Sequence, residues 1–278
     1  MYKNLLLVFI LILSFVPNVP AQPLKIQLTE KEQAFLQSHP LIRFGTDETR
    51  KPYVSKNSNG ELEGLDIDFI LYINETTGAN IQLVTGQWRE IVEKAKSREI
   101  DGLATSAPLE ARKLFFAFSQ TYVSEYPIVV IPSESQINIQ TIKDLSGKRI
   151  ALQEGNEFYA SIINPHPTIK AIEAPDERDS IKIMLEGKAD ASFSSTSTYY
   201  DHQKHFLKSI KIGHVVTETP LEVVYSIRKD WPELVSIINK SLVAMPTATY
   251  NTIYQKWFWV TSQENSLKET EYSIHLQV

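Results

Sequence analysis

Residues 99–106 read Glu-Ile-Asp-Gly-Leu-Ala-Thr-Ser, and residues 186–196 read Glu-Gly-Lys-Ala-Asp-Ala-Ser-Phe-Ser-Ser-Thr. Each stretch predicts the end of a helix, a tight turn through an aspartate, and a strand that ends in small hydroxyl residues. The repetition indicates two lobes built from one α/β module, although such turns and strand ends also occur in α/β proteins without a repeat. Because ligands bind beyond the carboxyl ends of strands in open α/β sheets, two facing strand ends would form a polar cleft.

Outward from these stretches, short β-rich runs alternate with amphipathic helical segments, which is the pattern of an α/β fold. Strands are predicted at 41–45, 81–84, 102–105, 126–131, 149–153, 169–173, 191–194, 210–216 and 222–228. Helices are predicted at 64–77, 88–98, 157–163, 176–186, 232–243 and 249–258. The aromatic segment 115–118 is assigned to a link between elements.

The composition is that of a globular protein. The chain has 278 residues, of which 42% are hydrophobic, a length that suits one large domain or two medium ones. Its net charge of −5 gives no electrostatic reason to expect nucleic acid as a partner. Because there is no cysteine, a disulfide scaffold, a thiolate metal site and a cysteine nucleophile are excluded.

The N-terminus has the layout of a secretory signal peptide. Lys3 precedes an apolar run at 5–16, and Val-Pro-Ala at 19–21 offers small residues for cleavage after Ala21. An uncleaved membrane anchor is the alternative, but the run is shorter than the roughly 20 residues that a spanning helix needs. We therefore predict a signal peptide at 1–21 and a soluble mature protein outside the cytoplasm.

Eight segments, in order along the chain, carry a resemblance to a known family. They are Gly-Thr-Asp at 45–47, Pro-Tyr at 52–53, Asn-Gly-Glu-Leu-Glu-Gly-Leu-Asp-Ile-Asp at 59–68, Ile-Asp-Gly at 100–102, Glu-Ala-Arg at 110–112, Phe-Ser-Gln-Thr-Tyr at 118–122, Asp-Leu-Ser-Gly-Lys-Arg-Ile-Ala at 144–151 and Tyr-Gln-Lys-Trp-Phe at 254–258. This series resembles family 3 bacterial extracellular solute-binding proteins, the polar-amino-acid binding components of ABC transporters. Segments 28–40 and 228–234 more closely resemble the Venus-flytrap sensor domains of hybrid histidine kinases.

The resemblance implies a two-lobed α/β fold of the type II periplasmic-binding-protein class, a Venus flytrap with two hinge crossings. Lobe 1 is expected at 24–126 plus 221–260 and lobe 2 at 127–220, with a polar tail at 261–278. The crossings are expected at 127–131 and 221–225. Ligand-driven closure of two lobes about such a hinge is a known mechanism.

Arg112 is the leading candidate for ligand binding. In the resembled family an arginine at this place holds the ligand's carboxylate, and a guanidinium fork suits bidentate binding of a carboxylate. The chain departs from the family's Thr-Pro-Glu-Arg, since residues 109–112 read Leu-Glu-Ala-Arg. Thr105 and Ser106 are expected to complete carboxylate recognition. The alternatives are an ion pair between a surface Arg112 and Glu110 or Glu99, and loop capping by the two hydroxyls.

In lobe 2, Gly155, Asn156 and Glu157 lie between a predicted strand and a predicted helix. A helix N-terminus presents free N–H groups to an anion, and the resembled family uses this turn for the ligand's carboxylate. Capping of the helix by Asn156 is the alternative, and both roles are compatible.

Three further candidates belong to lobe 1. Tyr53 and Trp88 would form an aromatic wall, and Asp47 would meet a ligand ammonium. Aromatic side chains are more often part of a core, so a core position is the favoured interpretation of Trp88.

One place in lobe 2 departs from the resembled family. Transport members carry an aspartate after the strand that follows Ala-Asp-Ala, and it pairs with the ligand's α-ammonium. This chain has Ser194, Ser195 and Thr196 there, so Ser195 and Thr196 are kept as candidate ligand contacts. Because a buried ammonium without a counter-charge is costly, either Asp47 replaces the aspartate or the ligand is a different small anion.

No motif indicates catalysis or a metal. The sequence has no H-E-x-x-H pattern, no G-x-S-x-G elbow and no phosphate-binding P-loop. His202 and His205 have a spacing that could hold a metal, but a solvated helix face is the favoured interpretation. We expect no catalytic residue, no metal and no cofactor.

The predicted function is capture of a small, carboxylate-bearing ligand, an amino acid or related anion, in the cleft between the lobes. The protein is expected to be a periplasmic monomer that serves ABC-type uptake or ligand sensing, with an inner-membrane permease or a sensor protein as partner. An enzyme is the alternative, because cyclohexadienyl dehydratases resemble the same family. Glu157 or Asp47 would then serve as acid or base only if the cleft tunes the pKa of its carboxyl.

Overall fold

A computed structural model describes residues 25–258, in which two sheets form the centres of two α/β lobes. The signal peptide predicted at 1–21 and the tail predicted at 261–278 lie outside the described residues. Within residues 25–258, no helix has the length and apolar character needed to cross a bilayer.

The sheet of lobe 1 is built from both ends of the chain. Its strands lie in the order β4 (Ile81–Thr85), β1 (Ile42–Thr46), β5 (Gly102–Ser106), β13 (Leu221–Arg228) and β6 (Phe116–Phe118), and β7 (Val123–Glu125) pairs with the start of β13. β1 runs parallel to β4 and β5, whereas β13 runs antiparallel to β5, β6 and β7. The carboxyl ends of β1, β4 and β5 therefore share one edge of the sheet.

Helices and a short hairpin complete lobe 1. The helices are α1 (Glu30–Ser38), α2 (Leu65–Thr77), α3 (Trp88–Lys96), a 3-10 helix (Glu110–Leu114), α7 (Pro232–Ala244) and α8 (Thr247–Phe258), and the hairpin pairs β2 (Ser55–Lys56) with β3 (Leu62–Glu63). Sequence signals set several ends: Thr29 and Glu32 form a capping box before α1, and Pro232 occupies the first turn of α7. Gly78 ends α2 in the left-handed conformation, with φ of 79°.

Lobe 2 has a sheet of five strands. Their order is β10 (Lys170–Ala174), β9 (Arg149–Gln153), β11 (Ala191–Ser195), β8 (Pro127–Pro132) and β12 (Ile210–Val215). β9, β10 and β11 are parallel, and β8 is antiparallel to β11 and β12. The helices are α4 (Glu157–Ile163), α5 (Glu177–Leu185), α6 (Thr196–His205) and a 3-10 turn (Ile142–Leu145).

The two aspartate turns that suggested a repeated module have the same hydrogen bonds. Asp101 Oδ2 accepts from the backbone N–H of Arg43 at 2.8 Å, and its own N–H donates to the Arg43 carbonyl at 2.8 Å. Asp190 makes the same two bonds with Arg149, each at 2.8 Å. In both lobes the aspartate therefore ties the start of one strand to the start of its neighbour, and the predicted repeat is confirmed.

The chain passes between the sheets twice. Glu125 ends β7 in the first sheet and Pro127 begins β8 in the second, so the first passage is at Tyr126. The return lies between Val215 and Leu221. The sequence places the two crossings at 127–131 and 221–225. In the structure these residues belong to β8 and β13, which are hydrogen-bonded into one sheet over their whole length, so each passage lies just before the strand.

The sequence missed elements with weak patterns. α1 is mostly polar and buries only Glu32 and Phe35, so it lacks an apolar stripe. The segment assigned to a link contains β6, a three-residue strand that is held by its pairing with β13. Such pairing is non-local, and a short run of residues does not reveal it.

Candidate functional site

In the structure a segment of lobe 2, residues 153–157, contacts lobe 1 across the cleft, and a second contact lies at the first passage, where Glu125 accepts from Thr196 and Ser197. Each contact of this segment joins one of its side chains to a side chain of lobe 1, and the pairs are Gln153–Asp47, Glu154–Arg89, Glu157–Arg112 and Glu157–Lys96. The segment follows β9, so the strand end that was predicted to face the ligand also forms the contact between the lobes.

Arg112 lies at the centre of these contacts. Its side chain is buried and its Nε donates to Glu157 Oε2 at 2.7 Å, while Nη1 donates to Ser106 Oγ at 2.8 Å. Ser106 in turn accepts from the Ser226 hydroxyl at 2.8 Å, and the guanidinium carbon lies 5.4 Å from the centre of the Trp88 ring. The guanidinium is therefore fixed in lobe 1 and directed at lobe 2. Ser106 positions it.

The Arg112–Glu157 contact is an ion pair. Burial lowers the pKa of the Arg112 guanidinium, and the nearby carboxylate of Glu157 offsets part of that effect. Burial also raises the pKa of Glu157, but the charges of Arg112 and Lys96 outweigh it and hold that pKa below its ordinary value. A carboxylate already occupies the guanidinium that was predicted to hold a ligand carboxylate.

Thr105 uses its polar groups within lobe 1. Its φ is 48°, its hydroxyl donates to Asp66, and its backbone N–H donates to the Tyr122 hydroxyl at 3.2 Å. Tyr122 donates to Asp66 Oδ1 at 2.7 Å. Burial raises the pKa of Asp66 to about 6, although these two hydroxyl donors act in the opposite direction. The Thr105 hydroxyl and N–H are therefore engaged by the lobe itself.

The turn before α4 brings the lobes close together. Asn156 caps the helix, since its Oδ1 accepts from the Tyr159 N–H at 3.1 Å, and Glu157 is the first helical residue. Gly155 has φ of 72°, and a Cβ at this position would lie 3.1 Å from Cα of Arg89 in lobe 1. Only a residue without a side chain fits both the backbone conformation and the gap.

The side chains of Asp47 and Tyr53 are buried, and their hydrogen bonds go to groups away from Arg112. Asp47 accepts from the N–H and hydroxyl of Thr49, at 2.9 and 2.8 Å, and from the Gln153 amide. Burial raises its pKa. The Tyr53 hydroxyl donates to Glu125 at 2.8 Å. Asp47 thus bridges the lobes, and Tyr53 packs beside the first passage between them.

Ser195 and Thr196 begin α6. The Ser195 side chain caps the helix by accepting from the Thr198 N–H, and the Thr196 hydroxyl donates to Glu125 at 3.4 Å. Both lie near the first passage between the lobes, and their ligand role remains a prediction.

A buried carboxylate does lie against this strand end, but it comes from α5. Glu177 accepts from the hydroxyls of Ser194 and Thr198, and its Oε1 lies 3.1 Å from Nε2 of His202. The interpretation of a solvated face is wrong for His202, which is 2% exposed because its side of α6 packs on Glu177. His205 is exposed.

The innermost part of the cleft is a small cavity between the lobes. Four predicted site residues line it, namely Trp88, Thr105, Arg112 and Asn156, together with Arg50 and Tyr159, which were not predicted. The space left for solvent is about 10 Å³, close to the size of one water molecule. Gly155 and Glu157 line a more open groove beside it. Arg50 follows the carboxyl end of β1, a position that could have identified it from the sequence.

The chain matches the bacterial extracellular solute-binding proteins, family 3, over residues 42–260. It is 28% identical to the histidine-binding periplasmic protein of Escherichia coli, with 78% of this chain and 87% of that protein aligned. ABC transporter arginine-binding protein 1 of Escherichia coli is 24% identical, with 78% and 90% aligned. The virulence sensor protein BvgS of Bordetella pertussis is 20% identical over 82% of this chain, which spans only 18% of that protein's length.

Solved structures agree with the two-lobed prediction. The BvgS periplasmic VFT2 domain superposes with a TM-score of 0.73 at 20% identity, covering 84% of this chain and 99% of that domain. The ancestral amino acid-binding protein AncCDT-1, a precursor of cyclohexadienyl dehydratase, gives 0.70 at 22% identity, covering 81% and 98%. These likenesses establish the fold, and the predicted Venus-flytrap architecture is confirmed.

Proposed function

Because the chain belongs to the bacterial extracellular solute-binding proteins of family 3, we propose that its cleft captures a small carboxylate-bearing ligand, an amino acid or related anion. The observation that carries the proposal is the buried guanidinium of Arg112, held by Ser106 and bonded to a carboxylate of the opposite lobe. A ligand carboxylate would take the Nε–H that Arg112 donates to Glu157. Trp88 would form one wall of the site, and Asn156 would face the ligand from lobe 2.

Entry of a ligand requires the lobes to part, since the cavity has room for about one water molecule. The two passages, at Tyr126 and between Val215 and Leu221, are the positions that would absorb this motion. Closure would then bury the ligand and re-form the contacts that Gln153 and Glu154 make with lobe 1.

The biological setting follows from the relatives. One is an ABC transporter binding protein and another a virulence sensor, so the partner would be an inner-membrane permease or a sensor protein. We propose export to the periplasm and action as a monomer. Transport and sensing differ in what reads the closed form, while capture of the ligand is common to both.

We propose a binding role without catalysis. A general acid needs a carboxyl whose pKa is raised toward neutrality, whereas Arg112 and Lys96 lower the pKa of Glu157 below its ordinary value. Burial raises the pKa of Asp47, but its oxygens are engaged by Thr49 and Gln153 and it does not line the cavity. Neither carboxyl offers the arrangement that a dehydratase would need.

The test is a thermal-shift screen of residues 22–278, unfolded and refolded to remove any retained ligand. The panel contains amino acids, dicarboxylates, and aromatic and other small anions. A ligand at ~100 times its Kd adds ~2.7 kcal/mol to the free energy of unfolding. Arg112→Ala should abolish the shift, and Arg43→Ala, which removes an exposed arginine of lobe 1, should preserve it.

Each other outcome is informative. A shift that survives Arg112→Ala would remove Arg112 from the site but keep capture. No shift across the panel would contradict capture of such ligands. Turnover of prephenate or arogenate by the purified protein would establish the enzymatic alternative.

A further inference from the structure

Arg50 is a cation inside the cleft without a bonded acceptor. It lies in the loop after β1, and its Nε is buried with no hydrogen-bond partner among the described residues. The guanidinium carbon lies 5.7 Å from the centre of the Tyr53 ring, and within residues 25–258 no carboxylate forms an ion pair with it. A buried N–H that lacks an acceptor loses hydration without compensation, so the position calls for one.

The two carboxylates that act most strongly on the Arg50 charge, Glu177 and Glu125, are hydrogen-bonded to other groups. Glu125 accepts from the Tyr53 hydroxyl at 2.8 Å and the Ser197 N–H at 3.0 Å, and Glu177 is bonded to groups of α6. Burial lowers the pKa of Arg50, but the charges of neighbouring carboxylates, among them Glu177 and Glu125, act in the opposite direction and the pKa is raised, so Arg50 stays ionised. The surroundings therefore keep the guanidinium charged but leave its Nε–H without an acceptor.

Tyr159 supplies a second donor without an acceptor. It is a residue of α4 in lobe 2, its ring stacks on Phe193 with centroids 5.1 Å apart, and its hydroxyl is buried without a hydrogen-bond partner among the described residues. Burial raises the pKa of Tyr159 well above its ordinary value, so the hydroxyl remains protonated and able to donate.

Arg50 and Tyr159 face the same cavity from opposite lobes, and Arg112 lines it as well. None of the described residues that line this cavity carries a carboxylate. A ligand ammonium would find no counter-charge there, whereas a carboxylate would satisfy both orphan donors at once.

We propose that Arg50 and Tyr159 form a second anion subsite, so that the cleft selects a short dicarboxylate over an α-amino acid. One carboxylate binds Arg112, and the other lies between the Arg50 guanidinium and the Tyr159 hydroxyl. This inference rests on the proposed function and specifies its ligand class. Because Arg50, Tyr159 and Arg112 line one small cavity, the linker between the two carboxylates is limited to a few carbons.

The experiment is calorimetric titration of the refolded protein with malonate, succinate and glutarate, compared with butyrate and L-aspartate. At least one diacid should bind at least tenfold more tightly than both comparison compounds. Arg50→Gln should weaken diacid binding tenfold or more, and Tyr159→Phe about tenfold, because each removes a hydrogen bond to a charged group. Neither variant should change butyrate binding, and Arg43→Gln should bind diacids as the parent does.

Stability separates a ligand role from a structural one. Since Glu177 and Glu125 offset the burial of Arg50 and favour its charged form, Arg50→Gln should lower the melting temperature of the ligand-free protein, whereas Tyr159→Phe, which removes a buried hydroxyl without a partner, should leave it unchanged or raise it. A lower melting temperature of Tyr159→Phe, or diacid binding that Arg50→Gln leaves unchanged, would overturn the second subsite. Amino acid binding that depends on Arg112 alone would also overturn it but leave the proposed function intact. No binding of any acid would overturn both.

Discussion

The two lobes share a folding module, yet their edges at the cleft carry opposite charge. Lobe 1 contributes four cations, which are Arg50, Arg89, Lys96 and Arg112, whereas lobe 2 contributes the carboxylates and amide of residues 153–157. The shared aspartate turns lie at the opposite ends of the strands. Hydrogen bonds at one end of the strands therefore define the module, while the loops at the other end vary in chemistry.

This asymmetry couples closure to binding. Glu157 of lobe 2 occupies the guanidinium of lobe 1 that a ligand carboxylate would use, so the lobe contact and the ligand compete for Arg112. The Arg50 guanidinium has no such competitor within residues 25–258. A ligand carboxylate is therefore expected to add more to the binding affinity at Arg50 than at Arg112.

Each lobe also buries a carboxyl group that accepts from two hydroxyls, Asp66 in lobe 1 and Glu177 in lobe 2, and the two behave differently. Asp66 in lobe 1 is bonded to neutral hydroxyls, and burial raises its pKa to about 6. Burial acts in the same direction on Glu177 in lobe 2, but His202 and Arg50 outweigh it and the pKa of Glu177 is lowered. The charge of the partners, and not depth alone, decides the direction of the shift.

Asp66→Asn tests this difference in pKa, and we expect it to change the free energy of unfolding more than any other variant below. A carboxyl with a raised pKa in the folded state binds its proton more tightly there than in the unfolded chain. Its contribution to stability is therefore greatest at acid pH and falls as the pH rises from about 4 to about 6. Between pH 4 and pH 7 the parent should lose on the order of 3 kcal/mol relative to Asp66→Asn, measured by urea unfolding.

Tyr122→Phe sharpens that experiment. It removes the hydroxyl that donates to Asp66 at 2.7 Å, which should raise the pKa of Asp66 further and extend the fall in stability to higher pH. If the difference in stability between Asp66→Asn and the parent is the same at pH 4 and pH 7, Asp66 has an ordinary pKa and the contrast between the lobes is lost.

Two glycines of lobe 2 allow the next comparison, between variants with the same backbone strain but different contacts. Gly155 and Gly147 have similar positive φ values, 72° and 76°, but only Gly155 faces lobe 1. Both alanine variants should lose about 1 kcal/mol of stability because of the left-handed backbone. Gly155→Ala should in addition weaken ligand binding about tenfold, because its Cβ would press on Arg89 when the lobes meet.

Calorimetry and small-angle scattering would check this difference. Gly147→Ala should bind ligand as tightly as the parent, and Gly155→Ala should have a larger radius of gyration in solution. Equal affinities for the two variants would mean that the lobes do not meet at Gly155 in the ligand-bound form.

Much of the fold was readable from the sequence. The predicted bounds of β9 and α4 agree with the structure to the residue, because Gly155 and Asn156 separate them and Asn-Pro at 164–165 follows the helix. α1 was not readable, because only Glu32 and Phe35 of its residues are buried.

The site was only partly readable. Arg112 was found through the family resemblance that Glu-Ala-Arg at 110–112 carries, and Asn156 by its place between a strand and a helix. Arg50 and Tyr159 were missed because they belong to different lobes and only the folded chain brings them to one cavity. A lone arginine or tyrosine in a sequence carries no sign of whether its polar atoms will find partners. That information lies in the contact between the lobes.

The smallest change in stability is expected for the two glutamates that pair across the cleft, Glu157 and Glu154. Glu157→Gln removes the half-exposed partner of a buried arginine and should cost about 1 kcal/mol of stability, whereas Glu154→Gln breaks an exposed pair and should cost about 0.5 kcal/mol or less. If Glu157 competes with the ligand for Arg112, Glu157→Gln should also tighten ligand binding a few fold, and Glu154→Gln should not. Calorimetric titration of both variants decides the matter, because weaker binding by Glu157→Gln would make Glu157 a ligand contact, as the sequence predicted, and not a competitor.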